Sequence, residues 1–280
     1  MWLKLLLGAL TLLMIAGAIY FEPARDRSLL GVKQGASDGA RLKVLTWNVG
    51  YAALEDDTRA HTKDLAAVAE TILRQDPDAV ALQELTGAEQ LRALLARLGG
   101  RYRGHVARDN DADRFEAVLV KQRDARFENV PTFASDGAAA TFSLRGKDSS
   151  HTIVFVSAHA DAFNAARRRR YTEEIIDWIS SPTVKDAVVF VAGDFNFEID
   201  SRNESNLYTD SLKHDSEAYN LLLRTFRDLG RDAGDTAINE RRIDYVFGPP
   251  ETALLRRAEV LRGAAVGRMD HWPLVVEVEL

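Results

Sequence analysis

Cysteine is absent from all 280 residues. That excludes a disulfide scaffold, a thiolate zinc site, a thiol nucleophile and a bacterial-type lipidated cysteine anchor. A cationic surplus is absent too: 36 Lys and Arg stand against 42 Asp and Glu, a net charge of −6. Non-specific affinity for polyanions rests on cationic charge, so an anionic ligand would have to be met locally or through a metal ion. Proline is scarce at 7 residues, and no internal repeat or low-complexity tract is present, which removes rods and solenoids. With 46% hydrophobic and 28% charged residues, the composition is that of an ordinary globular chain, long enough to bury a sizeable core. It is neither a disordered tail nor a multi-span membrane protein.

There is a single long apolar run. Leu5 to Phe21 holds 17 residues without a charge, roughly 25 Å as a helix against a hydrocarbon core of about 30 Å. Trp2 and Tyr20-Phe21 suit the two interfaces. Residues 1–21 are therefore expected to form a hydrophobic membrane helix. A cleaved signal peptide is the alternative, since Ala16-Gly17-Ala18 has the small-x-small form of a cleavage site. The first reading gives a single-pass anchor with an extracytoplasmic domain, the second a secreted or periplasmic protein. Lys4 favours an inside N-terminus, while Arg25, Arg27 and Lys33 weigh against it. Residues 22–41, with Pro23, Gly31, Gly35 and Gly39 and no apolar period, read as a linker, and 42–280 as the remaining domain.

Within 42–280, apolar alternation predicts strands at Leu42–Trp47, Ala79–Leu82, Tyr102–Ala107, Ala117–Lys121, Thr141–Leu144, Thr152–Ser157, Ala187–Ala192, Ile243–Phe247 and Leu274–Val278. Apolar residues at helical spacing predict helices over Thr58–Gln75, Ala88–Leu98 and Ala165–Ile179. Ser201–Lys213 reads as a loop. Strand-only stretches interrupt the alternation, so two packed sheets with outer helices fit better than a regular doubly wound sheet.

Polar residues stand where these strands end. Asn48 follows the first strand. Glu84 closes Ala81-Leu82-Gln83-Glu84, where a carboxylate is costly unless paired or metal-bound. Asp194 and Asn196 follow the apolar run 188–192, Asp244 lies within a strand, and Asp270-His271 precedes the last one. His159 ends the strand at 152–157. Singly, each is also a turn, cap or surface residue. Jointly, carboxylate, imidazole and amide groups at successive strand ends are what a strand-edge active site requires. Arg167 to Arg170 reads as a solvated helix face pairing with Glu173 and Glu174, rather than as a site for an anionic substrate or lipid headgroups.

The segments Thr46-Trp47-Asn48, Leu82-Gln83-Glu84, Ser157-Ala158-His159, Gly193-Asp194-Phe195-Asn196, Arg242-Ile243-Asp244-Tyr245 and Met269-Asp270-His271-Trp272-Pro273 resemble, in order, those of the endonuclease/exonuclease/phosphatase superfamily. The resemblance implies an α/β four-layer sandwich of two mostly antiparallel sheets flanked by helices. It implies a divalent-metal-dependent phosphodiester hydrolase using magnesium, with manganese as the alternative. In it, Glu84 is the main metal ligand, helped by Asn48, with Asp270 at a further metal contact. Asp194 orients or deprotonates the attacking water and Asn196 binds a phosphoryl oxygen. His271, oriented by Asp244, binds phosphate and assists proton transfer. His159 donates from the opposite side, and Glu116, in Arg114-Phe115-Glu116-Ala117, orients it.

The chain lacks the Asn-rich strand motif of the abasic-site endonucleases and the Trp-x-Asp-Arg segment of the inositol-polyphosphate phosphatases. This leaves a deoxyribonuclease-like or sphingomyelinase-like enzyme, whose substrate is DNA or RNA, or a phospholipid headgroup. Specificity is expected in the loops Gly50–Thr58, Arg108–Arg114 and Ser201–Lys213, and no obligate protein partner is implied. The rival is a non-catalytic phosphate-ligand binding module on the same fold. Retention of Glu84, Asp194 and His271 counts against it.

Overall fold

The computed structural model describes residues 39–50, 58–107, 114–133, 136–199, 209–267 and 269–280. The expected hydrophobic helix at 1–21, nearly all of the linker, and most of the three specificity loops lie outside the described residues. Among the described residues, no helix is long and apolar enough to cross a membrane.

The described residues form twelve strands and four helices, in chain order β1 Arg41–Asn48, α1 Thr58–Gln75, β2 Ala79–Leu85, α2 Ala88–Arg97, β3 Arg103–Val106, β4 Phe115–Val120, β5 Arg126–Val130, β6 Gly137–Arg145, β7 Ser150–His159, α3 Ala165–Ile179, β8 Val188–Asp194, α4 Leu212–Leu223, β9 Arg227–Asp228, β10 Asp244–Gly248, β11 Leu254–Val260 and β12 Leu274–Glu279. They form two six-stranded mixed sheets. Sheet one has the order β11-β12-β1-β2-β4-β3 and sheet two the order β5-β6-β7-β8-β10-β9. Each has one parallel pair at its centre, β1 with β2 and β7 with β8. A helix crosses between the strands of each pair, as parallel neighbours require. The other pairings are antiparallel.

Alternation explains the layers. In β1, Leu42 and Val44 join the core between the sheets, whereas Leu45 and Trp47 face outward among Leu65, Val68 and Ile72 of α1. In β7, Ile153 and Phe155 point between the sheets, and Val154 and Val156 face Tyr171 and Ile175 of α3. Small residues thin the middle layer, with Ala79, Ala81, Ala138, Ala140 and Ala192 set against Phe142, Phe155 and Phe190. Both faces of the central strands are therefore buried, which is why they read as nearly continuous apolar runs.

The structure departs from the sequence expectations in four elements. Strands β5, β9 and β11 and helix α4 were not anticipated. Leu212 and Lys213 belong to α4, capped by Ser211 whose side chain accepts from the His214 N–H, so the expected loop ends before them. The arginine run is not a uniformly solvated face. Arg169 and Arg170 do pair with Glu173 and Glu174 at 3.1 and 3.0 Å. Arg168 instead is fully buried, and its Nε and Nη2 donate to the two oxygens of Asp215 at 2.7 and 2.9 Å.

Candidate functional site

Topology brings the strand-end residues to one edge. Strands β1, β7 and β8 finish there, at Asn48, His159 and Asp194, and β2 brings Glu84 there as its last residue but one. Their antiparallel neighbours start there: Asp244 is registered opposite Asp194, and Leu274 opposite Thr46. Glu116, second residue of β4, and His271, just before β12, arrive by the same logic.

Local backbone irregularities then aim the side chains. In regular alternation Glu84 would face the helices with Val80 and Leu82. A bulge lies between Leu82 and Leu85 in the pairing with β4, and Glu84 adopts φ 59°. Leu85 therefore takes the helix-facing place, and Glu84 turns toward the edge. Left-handed backbone at a non-glycine residue costs energy that the surroundings must offset. Gly193 is required for a different reason. With φ 152°, a Cβ there would lie 1.8 Å from the Ala158 carbonyl oxygen of β7, so only glycine lets β8 end against β7. Asp194 and Asn196 do not share one extended segment. Strand β8 stops at Asp194, and Asn196 turns left-handed at φ 52°. The Asn196 N–H donates to Asp194 Oδ1 at 2.9 Å, and its side-chain Nδ2 donates to the Ala160 carbonyl at 3.1 Å.

Two imidazoles meet at one carboxylate. Asp194 Oδ2 lies 3.7 Å from His159 Nε2 and 3.6 Å from His271 Nε2. Each imidazole is backed at Nδ1 by a buried carboxylate, Glu116 at 3.3 Å for His159 and Asp244 at 2.8 Å for His271. Asn48 Nδ2 donates both to Asp194 Oδ2 at 3.0 Å and to Glu84 Oε1 at 3.1 Å. Glu84 Oε1 also accepts from Arg114 Nη1 at 3.3 Å. Asp270, with its side chain half-exposed, stands 4.0 Å from His271 Nε2.

The electrostatics follow from burial and pairing. Burial by itself would lower the His159 pKa, but the hydrogen bond to Glu116 and the charges of Asp194 and Glu84 raise it to about 9. Burial likewise opposes the charge on His271, and Asp244 and Asp194 raise it to about 10. Both rings are thus cationic donors at neutral pH. Burial pushes the Asp244 carboxyl up while His271 draws it back. The imidazole holds the shared proton, because it remains the stronger base. Burial also pushes Glu84 up, against the pull of His159 and Asn48.

Five carboxylates, Glu84, Glu116, Asp194, Asp244 and Asp270, thus face two imidazolium rings and the Arg114 guanidinium. The surplus of negative charge, with Glu84 desolvated, suits a divalent cation. Carboxylate oxygens from Glu84 and Asp194 are the donors a hard cation prefers; Asn48 turns its Nδ2 to both, and its Oδ1 accepts from the Gly50 N–H at 2.9 Å. Asp194, Asp244 and His271 also present ligand atoms within 4.8 Å of one another and could hold a metal ion. In that trio, however, His271 Nδ1 is already engaged by Asp244 Oδ2 at 2.8 Å, and a protonated ring does not ligate. The oxygen set around Glu84 fits the group better.

Several supporting residues carried no signal of their own in the sequence. Gln83 Nε2 donates to Ser157 Oγ at 3.0 Å, and Thr46 Oγ1 donates to Gln83 Oε1 at 3.4 Å. All three are fully buried and tie the sheets together beneath the edge. Trp47 Nε1 donates to the His271 carbonyl at 3.2 Å. Thr236 Oγ1 accepts from the Ile243 and Asp244 N–H groups at 3.1 and 3.0 Å. The His159 N–H donates to Tyr171 at 3.1 Å. Arg168 Nη1 donates to the Asp161 carbonyl at 2.9 Å, two residues beyond His159. Thr46, Gln83 and Ser157 each lie one or two residues before a strand-end residue, on the face toward the other sheet. A polar residue at such a position is the signal that would have found them.

Comparison with known proteins identifies the family and the fold. The family model described as "Endonuclease/Exonuclease/phosphatase family" matches residues 45–267. No curated protein matches the chain. Among solved structures, an endonuclease/exonuclease/phosphatase from Bacteroides vulgatus is similar with a TM-score of 0.66 at 19% identity, covering 86% of this chain and 99% of that one. A Bacteroides thetaiotaomicron mannosyl-6-phosphatase gives 0.61 at 18% identity, over 85% of this chain and 99% of its own. A humanized D. rerio TDP2 gives 0.59 at 16% identity, over 86% and 99%. At these identities the likeness is one of fold.

Proposed function

The chain belongs to the endonuclease/exonuclease/phosphatase family, whose members act as phosphodiesterases and phosphatases, and from that premise we propose that it is a divalent-metal-dependent phosphodiester hydrolase. One observation carries the reading: two imidazole Nε2 atoms converge on Asp194 at 3.6 and 3.7 Å, each ring fixed by a buried carboxylate. A binding module has no need of a proton acceptor held between two proton donors.

In this reading the phosphodiester enters at the shared edge, where His159 donates to its non-bridging oxygens from one side and His271 faces the leaving oxygen from the other. Those oxygens gain charge in the transition state, so pre-aimed donors stabilise it preferentially. Asp194 orients a water for in-line attack and takes its proton as the new P–O bond forms. The bond to the leaving oxygen breaks as that oxygen takes a proton from His271 Nε2. Asp244 and Glu116 hold the two rings with Nε2 toward the substrate, and Asn196 contributes its amide to a phosphoryl oxygen. Glu84 and Asn48, with Asp270 nearby, would hold the cation, magnesium or alternatively manganese. Bound there, it would polarise a phosphoryl oxygen and neutralise developing charge.

The substrate is a nucleic acid or a phospholipid headgroup. The apolar run Leu5–Phe21 supports a location at a membrane, or beyond it after cleavage. The deciding experiment takes the full chain, metal-stripped, with magnesium or manganese restored. It is assayed on bis(p-nitrophenyl) phosphate, plasmid DNA, sphingomyelin vesicles and mannose 6-phosphate. Turnover of a diester that needs the metal and is lost in Asp194→Ala and His271→Ala supports the proposal. Metal and phosphate binding without turnover on any substrate returns the chain to the binding module. Turnover of the monoester alone makes it a phosphatase.

A further inference from the structure

Large hydrophobic side chains exposed to solvent are few among the described residues: Phe133, Phe163 and Ile238, at 40%, 84% and 45% exposure. All three stand on the rim of the candidate site, and they come from separate loops. Phe163 is in the turn that leaves β7 four residues after His159, its N–H donating to Asp161 Oδ1 at 2.9 Å. Phe133 is in the β5–β6 connection, which closes at the Val130–Gly137 pair beside the end of β7. Ile238 donates its N–H to the Asp270 carbonyl at 2.8 Å, next to His271. The opposite edge, with the β6–β7 hairpin at 145–150, carries none. Scattered single apolar residues need no explanation; these three are confined to the edge that carries the candidate site.

We infer that this rim is a membrane-docking face that seats the candidate site on a phospholipid bilayer. Local charge argues for a bilayer over a polyanion. Among the described residues, three rim arginines are already matched by carboxylates: Arg167 with Asp161 at 3.1 Å, Arg170 with Glu174 at 3.0 Å and Arg114 with Glu84 at 3.3 Å. What projects beyond them is apolar. Phe133 already receives the Arg170 guanidinium 3.9 Å from its ring centroid, an amphipathic pair of the kind that suits a headgroup layer. Ile238 has no π face on which a base could stack, and the chain as a whole is acidic. The uncharged run Leu5–Phe21 gives the same chain a separate affinity for a bilayer. The proposal rests on the phosphodiester reading only for what a docked site would do, and its geometry is independent of it.

The absence of cysteine makes the test clean. Single-cysteine variants Phe163→Cys, Ile238→Cys and Lys147→Cys of the full chain are labelled with an environment-sensitive fluorophore. They are mixed with phosphatidylcholine/phosphatidylglycerol vesicles carrying a nitroxide on the acyl chain. Labels at 163 and 238 should shift to the blue and be quenched, while the label at 147, in the far hairpin, stays unchanged. Equal quenching at 147, or none at 163, overturns the proposal. A response at 163 and 238 to single-stranded oligonucleotide but not to vesicles overturns it in favour of a base-stacking rim. Insertion is read without turnover, so it stands or falls separately from the phosphodiester reading. As a second readout, Phe163→Ser with Ile238→Ser should slow hydrolysis of a vesicle-borne diester by about tenfold and leave bis(p-nitrophenyl) phosphate unaffected. Equal loss on both substrates counts against docking.

Discussion

The site contains two imidazole–carboxylate pairs, and both are built across the gap between the sheets. His159 comes from β7 of sheet two and its carboxylate, Glu116, from β4 of sheet one. His271 enters just before β12 of sheet one and its carboxylate, Asp244, opens β10 of sheet two. Each sheet gives one ring and one carboxylate, exchanged crosswise. The pairs differ in tightness, 2.8 Å for His271–Asp244 and 3.3 Å for His159–Glu116. The backbone around Asp244 is also braced by Thr236, and the His271 carbonyl by Trp47. Neither sheet alone contains a working pair, so the chemistry depends on how the sheets are registered, and the better-braced pair is suited to moving a proton.

The sharpest way to break the comparison is to remove what the pairs share. Asp194→Ala takes away the carboxylate that both Nε2 atoms face, and activity on a diester should fall by about 10⁴-fold, measured as kcat/KM at saturating magnesium. Equal residual activity would mean that the convergence is structural. The next step separates the pairs. Asp244→Asn should cost about 10³-fold and Glu116→Gln about tenfold, because the amide abolishes a short charge-assisted contact in one case and a longer one in the other. Equal losses would say that the two rings have equivalent roles.

The crosswise arrangement also explains what sequence reading can and cannot see. Strand ends are legible, because an apolar run that stops at a carboxylate, amide or imidazole is costly without a purpose, and Asn48, Glu84, His159 and Asp194 are all of that type, while His271 stands just before a strand. The partnership between them is a property of sheet packing. Nothing local to Phe115-Glu116 says that it faces His159, and only the family resemblance suggested it. The bulge that turns Glu84 is invisible because Leu82 and Leu85 look like one apolar run. Arg168 is hidden inside four consecutive arginines, although it alone is buried. The missed strands β5 and β11 are the outermost strands of their sheets. With a neighbour on one side only, they carry Arg126, Glu128, Arg256 and Arg257, which dilute the apolar alternation that reveals inner strands.

A smaller effect tests the register itself. Gln83→Leu removes the amide that links Thr46 on β1 to Ser157 on β7, leaving two buried hydroxyls without that partner. It should lower stability by about 1–3 kcal/mol, read by chemical denaturation. If crosswise pairing depends on this link, kcat should fall with both rings affected alike. If kcat is unchanged while stability drops, the apolar layer alone holds the register.

The finest distinction lies in proton affinity. In the metal-free protein both rings have raised pKa values, about 9 for His159 and about 10 for His271, against about 6.5 in an unfolded chain. A raised pKa means that the folded state binds the proton more tightly than the unfolded state does. The stabilisation is therefore complete below pH of about 6.5 and is lost as pH rises through the folded values. The metal-free protein should lose stability steadily from neutral pH into the alkaline range, seen as a falling Tm. Single variants should divide that window. With His271→Gln only the His159 contribution remains, and the decline should level off near pH 9. With His159→Gln it should continue to near pH 10. Removing either charge also weakens the field on the other carboxylates, so the separation is at most about one pH unit. Curves that level off together would mean that the two pairs titrate as one unit through Asp194, rather than as a tight pair and a looser one.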